Sequence, residues 1–163
     1  MNYGRVMKHL FIPHWAALRV FPQPALAKIE QAIKASERSH RGELRFAIEG
    51  PLHLRQLRLS TRQRARQVFA ELGVWDTEEN SGVLIYVQLV DRRIEIVADR
   101  GIAKRVAQAE WDAICRAMEA AFKAHRHADG ALQAIQTVTA ILARHFPAGA
   151  VNPNELPDKP AVL

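Results

Sequence analysis

The side chains best suited to chemistry in this sequence are carboxylates at turns and strand ends. They occur at four places: Glu43 at the start of a strand, Asp76, Glu78 and Glu79 in a polar loop, Asp91 in a turn, and Asp99 after a strand. Ligands of α/β proteins bind in loops beyond strand ends, and such oxygens suit a hard cation such as Ca²⁺ or Mg²⁺. No Asp-x-Asp-x-Asp-Gly run is present. The alternative is that these acids are solvated or make turn and cap hydrogen bonds.

Histidine and cysteine do not form a catalytic pattern. His125 and His127 are two residues apart, whereas metal ligands on a helix are three or four apart. Cys115 shares an apolar face with Trp111 and Met118, which favours a buried packing role. The chain has no P-loop, Gly-x-Gly-x-x-Gly, His-Glu-x-x-His or Gly-x-Ser-x-Gly motif. We therefore expect no nucleotide, flavin or haem cofactor, and the absence argues against zincin and α/β-hydrolase chemistry.

The net charge of +6 is concentrated in one segment. Residues 34–66 hold nine Lys or Arg and three Glu, so this segment carries the whole excess. A basic patch attracts nucleic acid, anionic lipid or an acidic protein, whereas the simpler interpretation is a solvated helix face. The candidates for contact with an acidic ligand are Arg55, Arg58, Arg62, Arg64 and Arg66.

Hydrophobic periodicity predicts the elements that position these residues. Helical spacing runs from Pro24 to about His40, and strict alternation marks Glu43–Glu49 as a strand. Ser60 and Gln63 have the spacing of a capping box, opening a helix with Arg62, Arg64 and Arg66 off its apolar face. Gly73 is the expected end of that helix.

A β-hairpin and two helices follow. The apolar run Gly82–Val90 is typical of a central strand covered on both faces, and Asp91-Arg92 forms the turn to the alternating strand Arg93–Ala98. One helix then carries Trp111 and Phe122 on its apolar face. A second runs from about Leu132 to Phe146, with Asp129 as its expected N-cap and Pro147 as its stop.

These elements predict an α/β fold, a three-layer α/β/α sandwich with helices on both faces of a mixed sheet that contains a β-hairpin. We expect an N-terminal arm (1–22), an α/β domain (23–147) and an irregular C-terminal tail (148–163). Part of the arm would lie as a helical turn on the body, through Phe11, Trp15, Leu18 and Phe21.

The sequence also predicts the compartment. No apolar run approaches the roughly 20 residues of a membrane span, and one cysteine is consistent with a reducing environment. We therefore expect a cytoplasmic protein with no membrane span.

The segment 73–102 resembles the central signature of the TPM domain family. The C-terminal tail of the chain, at residues 154–158, is similar to that of soluble, cytoplasmic-type bacterial members. The signature is a polar loop, an apolar strand, Asp-Arg, a second strand and Gly-Ile. The likeness extends over roughly residues 36–147. The matching residues are Asn80, Gly82, Val83, Leu84, Asp91, Arg92, Gly101 and Ile102.

The resemblance implies an α/β/α sandwich with a mixed sheet. It also implies divalent-cation binding, chiefly of Ca²⁺, and weak acid phosphatase activity, each ascribed to some members. The possible metal site carries over onto Asp76, Asn80, Asp91 and Asp99. The basic stretch 123–127 departs from the family, which weakens any acidic site built partly from it.

Three hypotheses follow. The first is a TPM-type module that binds Ca²⁺ or Mg²⁺, with Arg92 or Arg100 available to a phosphate. Because no clear general base is present, catalysis stays open. The alternative is a non-enzymatic binding module that uses the Arg-rich face for an acidic partner or nucleic acid. The third is a structural or protein-binding module whose arm docks through Phe11 and Trp15.

Overall fold

The computed structural model describes residues 3–149 and 153–163. Its helices and strands are α1 (Tyr3–Phe11), α2 (His14–Leu18), α3 (Gln23–Ser36), β1 (Glu43–Glu49), α4 (Thr61–Glu71), β2 (Gly82–Gln88), β3 (Arg93–Ala98), α5 (Arg100–Ala103), α6 (Gln108–Lys123), α7 (His127–His145) and β4 (Ala161–Val162). The four strands form one mixed sheet in the order β3-β2-β1-β4. β1 pairs in parallel with β2 and β4, and β2 pairs antiparallel with β3.

The central strands are covered on both faces, which confirms the predicted three layers. All seven residues of β1 and of β2 are buried. On one face Phe46 and Ile85 pack in a core with α3, α6 and α7. On the other face Leu84 and Tyr86 pack against α4. Alternate residues of each strand therefore belong to two different cores, as the period of two requires.

Several predicted boundaries are confirmed. β1 and β3 have their predicted bounds, and β2 ends two residues early, at Gln88. The capping box of α4 is present: Ser60 Oγ accepts from the Gln63 N–H at 3.2 Å, and the Ser60 N–H donates to Gln63 Oε1 at 2.9 Å. Gly73 follows with φ of +65°, a conformation that glycine adopts without strain.

Other details differ from prediction. α7 begins at His127, so Asp129 is not its N-cap but lies inside the first turn, where a carboxylate complements the helix dipole. The tail is not wholly irregular, because Ala161 and Val162 add a short strand beside β1. α3 ends at Ser36, short of His40. In the arm Phe21 is buried, whereas Phe11 and Trp15 are exposed.

Candidate functional site

The sheet has two chemically different ends. We define the hairpin end as the end where β1 and β2 finish and β3 begins, marked by the paired residues Glu49, Gln88 and Arg93. The opposite end is where β1 and β2 begin and β3 finishes, beside Gly82 and Ala98. The predicted metal-binding residues divide between these two ends.

Asp91 lies apart from the other predicted ligands. It follows β2 at the hairpin end, whereas Asn80 precedes β2 and Asp99 follows β3 at the opposite end. At about 3.3 Å per residue, the length of β2 separates the two ends by roughly 20 Å. Asp76 is exposed in the polar loop before β2. Within residues 3–149 and 153–163, no three His, Cys, Asp or Glu side chains are grouped so as to hold a metal ion.

Asp91 anchors α1 to the hairpin. Its carboxylate accepts from Arg5 Nη2 at 2.8 Å and lies 3.1 Å from His9 Nε2. The Leu52 N–H donates to His9 Nδ1 at 2.8 Å, so Nε2 carries the ring proton and donates to Asp91. Burial alone would raise the pKa of Asp91, but the hydrogen bonds from Arg5 and His9 outweigh burial and hold that pKa below its usual range.

The opposite end contains two buried oxygens that no hydrogen bond satisfies. Asp99 is 7% exposed; its Oδ1 accepts from the Arg100 N–H at 2.7 Å. In the described part of the chain, Asp99 Oδ2 and Ser81 Oγ have no hydrogen-bond partner. The Gly101 N–H donates to the Asn80 carbonyl at 2.8 Å, and a Cβ on Gly101 would lie 2.6 Å from that oxygen. Only glycine permits this close approach of the two loops.

Acidic side chains next to this end hold the tail. Glu43 is buried and accepts from the Glu155 and Leu156 N–H groups at 3.2 and 3.3 Å. Burial raises the pKa of Glu43 to about 7 despite those hydrogen bonds. Burial and the neighbouring Asp158 raise the pKa of Glu37 to about 8. Glu43 therefore fastens the tail to β1, and Glu37 fastens it to the end of α3, where Glu37 Oε2 accepts from Asn154 Nδ2 at 3.3 Å.

A cavity of about 400 Å³ opens at the hairpin end. Its walls come from the arm, β2, β3, α6 and the loop before α7. Apolar side chains line its floor, among them Ile12, Val20 and Phe122. One carboxylate, Glu119, also lines it and accepts from the Ile94 N–H at 3.2 Å. The cationic and imidazole side chains at the cavity are Arg92, Arg93, Lys123, His125 and His127.

Two residues of this cavity adopt left-handed backbone conformations that side chains disfavour. The φ angles of Arg92 and His125 are +53° and +59°. Arg92 adopts this conformation in the turn between β2 and β3, and His125 adopts it directly after the C-cap of α6, two places where a chain reversal or helix end requires a left-handed residue. Burial, then His125 and Arg92, lower the pKa of His127. His127 therefore presents a neutral ring at neutral pH.

The predicted Arg-rich face is interrupted by Arg64, and its assignment to that face is wrong. Arg64 is buried, and its guanidinium pairs with Glu49 at 2.7 Å and Glu71 at 2.9 Å. The Tyr86 hydroxyl donates to the same Glu49 carboxylate. Arg62 is partly buried and lies 3.4 Å from Glu95. The exposed arginines of the set are Arg55, Arg58 and Arg66.

Cys115 packs beside the larger core and is partly buried. Burial raises the pKa of its thiol to about 12, so the nucleophilic thiolate is absent at neutral pH. This agrees with the predicted packing role.

Comparison with known proteins places this architecture in a family. The family model of the TPM domain matches residues 18–141, which is most of the chain. The chain belongs to the TPM domain family. The TPM match confirms the resemblance in the central segment, and it includes both sheet ends described above.

Solved structures agree with the TPM assignment. The solution structure of BA42 from the psychrophilic bacterium Bizionia argentinensis is similar, with a TM-score of 0.78 and 28% identity over 88% of this chain and 95% of that one. The N-terminal domain of a P. gingivalis protein shares the fold, with a TM-score of 0.64 and 15% identity over 80% and 83% of the two chains. No curated protein matches the chain.

The sequence patterns do not predict the cavity of this TPM domain. Its lining comes from segments as far apart as Ile12 and His127. Its local signal in the sequence is the basic stretch 123–127, which contributes Lys123, His125 and His127 to the lining. No helix in the described ranges 3–149 and 153–163 is long and apolar enough to cross a bilayer.

Proposed function

We propose that this TPM domain is a binding module for a small organic anion, held in the cavity at the hairpin end. The observation that carries the proposal is the combination of an apolar floor with a cationic rim in one concave site. Ligand sites are usually concave, mostly apolar and oriented by a few convergent polar groups. The cavity also lies where β1 and β2 end, the position at which α/β sheets bind ligands.

The rim defines the chemical class of the ligand. Arg92, Arg93 and Lys123 can donate to carboxylate or phosphate oxygens, arginine with two parallel hydrogen bonds. Arg93 Nη1 also lies 3.8 Å from the Glu119 carboxylate, so a ligand anion would share this cation. The floor, which includes Phe122, accepts an apolar body rather than a second charge. A phosphate or carboxylate attached to an apolar group therefore fits better than an inorganic ion.

Hydrolysis is a separate question at the same site. A phosphate monoester belongs to this ligand class, so the weak phosphatase activity implied by the family resemblance would take its substrate here. A phosphatase needs an activated nucleophile or a metal-held water. Binding is therefore measured first, and release of phosphate from phenyl phosphate is measured separately.

The test is a calorimetric titration of the full chain with phenyl phosphate and, separately, with inorganic phosphate. Lys123→Met removes one cation of the rim and should weaken phenyl phosphate binding about tenfold or more, the value of a charge-assisted hydrogen bond. Lys104→Met is the matched control, because Lys104 is exposed and lies outside the cavity lining. Equal binding by both variants would contradict the proposal. Equal affinities for phenyl phosphate and inorganic phosphate would show that the apolar floor does not contribute to binding.

A second candidate function is divalent-cation binding at the opposite end, which the family resemblance implies. The supporting observation is the pair of unsatisfied buried oxygens, Asp99 Oδ2 and Ser81 Oγ. Oxygen ligands of this kind fit Ca²⁺ or Mg²⁺. Asn80 would add an amide oxygen from the adjoining loop by giving up the hydrogen bond that this oxygen accepts from Arg100 Nη2 at 3.2 Å. Of the four predicted ligands, Asn80 and Asp99 belong to this candidate, Asp91 does not, and Asp76 stays a prediction.

Thermal unfolding of EDTA-treated protein tests this second candidate. A cation that binds the folded state at 100 times its dissociation constant adds about 2.7 kcal/mol and moves the midpoint by several degrees. Asp99→Asn should abolish the shift. Asp112→Asn, an exposed acid on α6, should retain it. If neither millimolar Ca²⁺ nor millimolar Mg²⁺ shifts the unfolding midpoint, the proposed cation site is wrong.

A further inference from the structure

The helix α1 turns its polar residues inward and its apolar residues outward. Arg5 and His9 face the body, where both bind Asp91. Arg5 also donates to the carbonyls of Leu57 and Leu59 at 3.0 and 2.9 Å. A surface helix normally presents the reverse arrangement, with its apolar stripe toward the core. The charged face of α1 is thus already used, and its apolar face is left uncovered.

The exposed apolar side chains of α1 and α2 are together called the outer face. Four are spaced along α1 so that they share one side of the helix, and the fifth lies on α2. Their exposed fractions are 81% for Tyr3, 50% for Met7, 60% for Leu10, 75% for Phe11 and 63% for Trp15. Three other large apolar side chains are exposed in the described part of the chain: Leu54, Trp75 and Val162. An exposed apolar concentration of this kind marks an interaction surface.

The surroundings of the outer face are basic. No Asp or Glu occurs from residue 3 to residue 29, nor from residue 50 to residue 70, the segment on which α1 packs. The Asp91 carboxylate, which α1 contacts, is neutralised by Arg5 and accepts a hydrogen bond from the His9 ring. The guanidinium of Arg19 lies 5.8 Å from the centre of the Trp15 ring. Exposed cations of the two segments include Lys8, Arg19, Arg55 and Arg58.

We propose that the outer face docks on an anionic lipid surface, with α1 lying in the plane of the membrane interface. Helices that bind in this way combine aromatic and aliphatic side chains on one face with nearby Lys and Arg. Aromatic residues such as Tyr3 and Trp15 are favoured at the level of the headgroups. Each basic residue near an anionic leaflet adds attraction.

Charge favours lipid over a second copy of the chain. A symmetric dimer through the outer face would bring the same surface of each copy together, and therefore the same cations. Like charges placed opposite one another across an interface are unfavourable. An anionic membrane instead supplies apolar and negatively charged partners together.

Flotation of the full chain with vesicles tests the proposal. Binding to phosphatidylcholine vesicles that contain phosphatidylglycerol should exceed binding to phosphatidylcholine alone, and added salt should weaken it. Leu10→Ser with Phe11→Ser should reduce binding at least about tenfold, because two apolar side chains no longer enter the interface. Both side chains are exposed, so the midpoint of thermal unfolding should not change.

Trp75→Ser is the matched control. Trp75 is 55% exposed but lies in the loop before β2, at the opposite end of the sheet, so its replacement should leave vesicle binding intact. Failure of the wild-type chain to bind anionic vesicles, or equal binding by the Leu10/Phe11 variant, would overturn the proposal. A self-associated chain that this variant dissociates, with no vesicle binding, would assign the face to a second copy. The phenyl phosphate titration is unaffected by these outcomes, because neither Leu10 nor Phe11 lines the cavity.

Discussion

At the scale of the residue, Arg64 is predicted on an exposed basic face but is buried, where its charge stabilises the core. Its guanidinium neutralises the buried Glu49 carboxylate, which also accepts from Tyr86. Replacing Arg64 by Met leaves that carboxylate buried without a cation. We expect the free energy of unfolding to fall by about 3–5 kcal/mol. Urea unfolding measures the change, and Arg66→Met, an exposed neighbour, should stay within about 0.5 kcal/mol of the wild type. Similar effects of the two substitutions would contradict the buried pair.

Glu43 makes a prediction about pH at the same scale. Its pKa is raised by burial from an ordinary value of 4.5 to about 7 in the folded chain. Between these values the unfolded chain releases the proton while the folded chain retains it, so stability falls as pH rises through this window. Glu37, with its pKa raised to about 8, acts in the same direction. Glu43→Gln should flatten the dependence of the unfolding free energy on pH between 4.5 and 7. The exposed Glu78→Gln should keep the wild-type slope, and an unchanged slope in Glu43→Gln would refute the assignment.

At the scale of the element, the start of α4 depends on a local signal that the sequence displays directly. Ser60 and Gln63 satisfy each other's backbone N–H groups. Ser60→Ala should cost about 1 kcal/mol, whereas Ser60→Gly should cost only a few tenths, because an uncapped glycine start is tolerated better. Both are measured by chemical denaturation. An unchanged free energy of unfolding in Ser60→Ala would show that the hydroxyl acceptor does not stabilise the helix.

The elements that could be predicted are those whose signals are local. Alternation over Glu43–Glu49 and the apolar run from Gly82 are each complete within one segment, and the structure has strands at both. The prediction of Asp129 as the N-cap is wrong because α7 begins at His127 without a side-chain cap, so a capping residue does not mark its start. β4 has only two residues and is defined by its pairing with β1, so no sequence pattern within the tail predicts it.

At the scale of the whole molecule, candidate sites depend on which segments the fold brings together. The sequence indicates that Asp91 and Asp99 follow strands, but only the antiparallel pairing of β2 and β3 shows that they lie at opposite ends. The cavity lining spans Ile12 to His127, so its walls come from segments that are distant in sequence and adjacent only in space. Composition reports the basic excess, whereas the fold decides that Arg64 is structural and Lys123 faces a cavity.

The tail closes the edge of the sheet, and its removal tests how the molecule is held together. The Leu163 N–H donates to the Ile48 carbonyl at 2.9 Å, and Arg45 Nη1 donates to the Lys159 carbonyl at 3.0 Å. Leu156 is buried against the core on the α4 side. Leu156→Ala should cost about 2–5 kcal/mol while leaving β4 in place. A chain that ends at Gly149 should lose more than this.

The shortened chain should also change its mass in solution. Without β4, one edge of β1 presents unpaired backbone groups, which favour pairing with another chain. Light scattering should therefore show self-association of the shortened chain and no change of mass for Leu156→Ala. The two variants separate the contribution of apolar burial from that of edge protection. A shortened chain with the stability and mass of the full one would mean that neither contribution matters, and that β1 is protected by the helical layers alone.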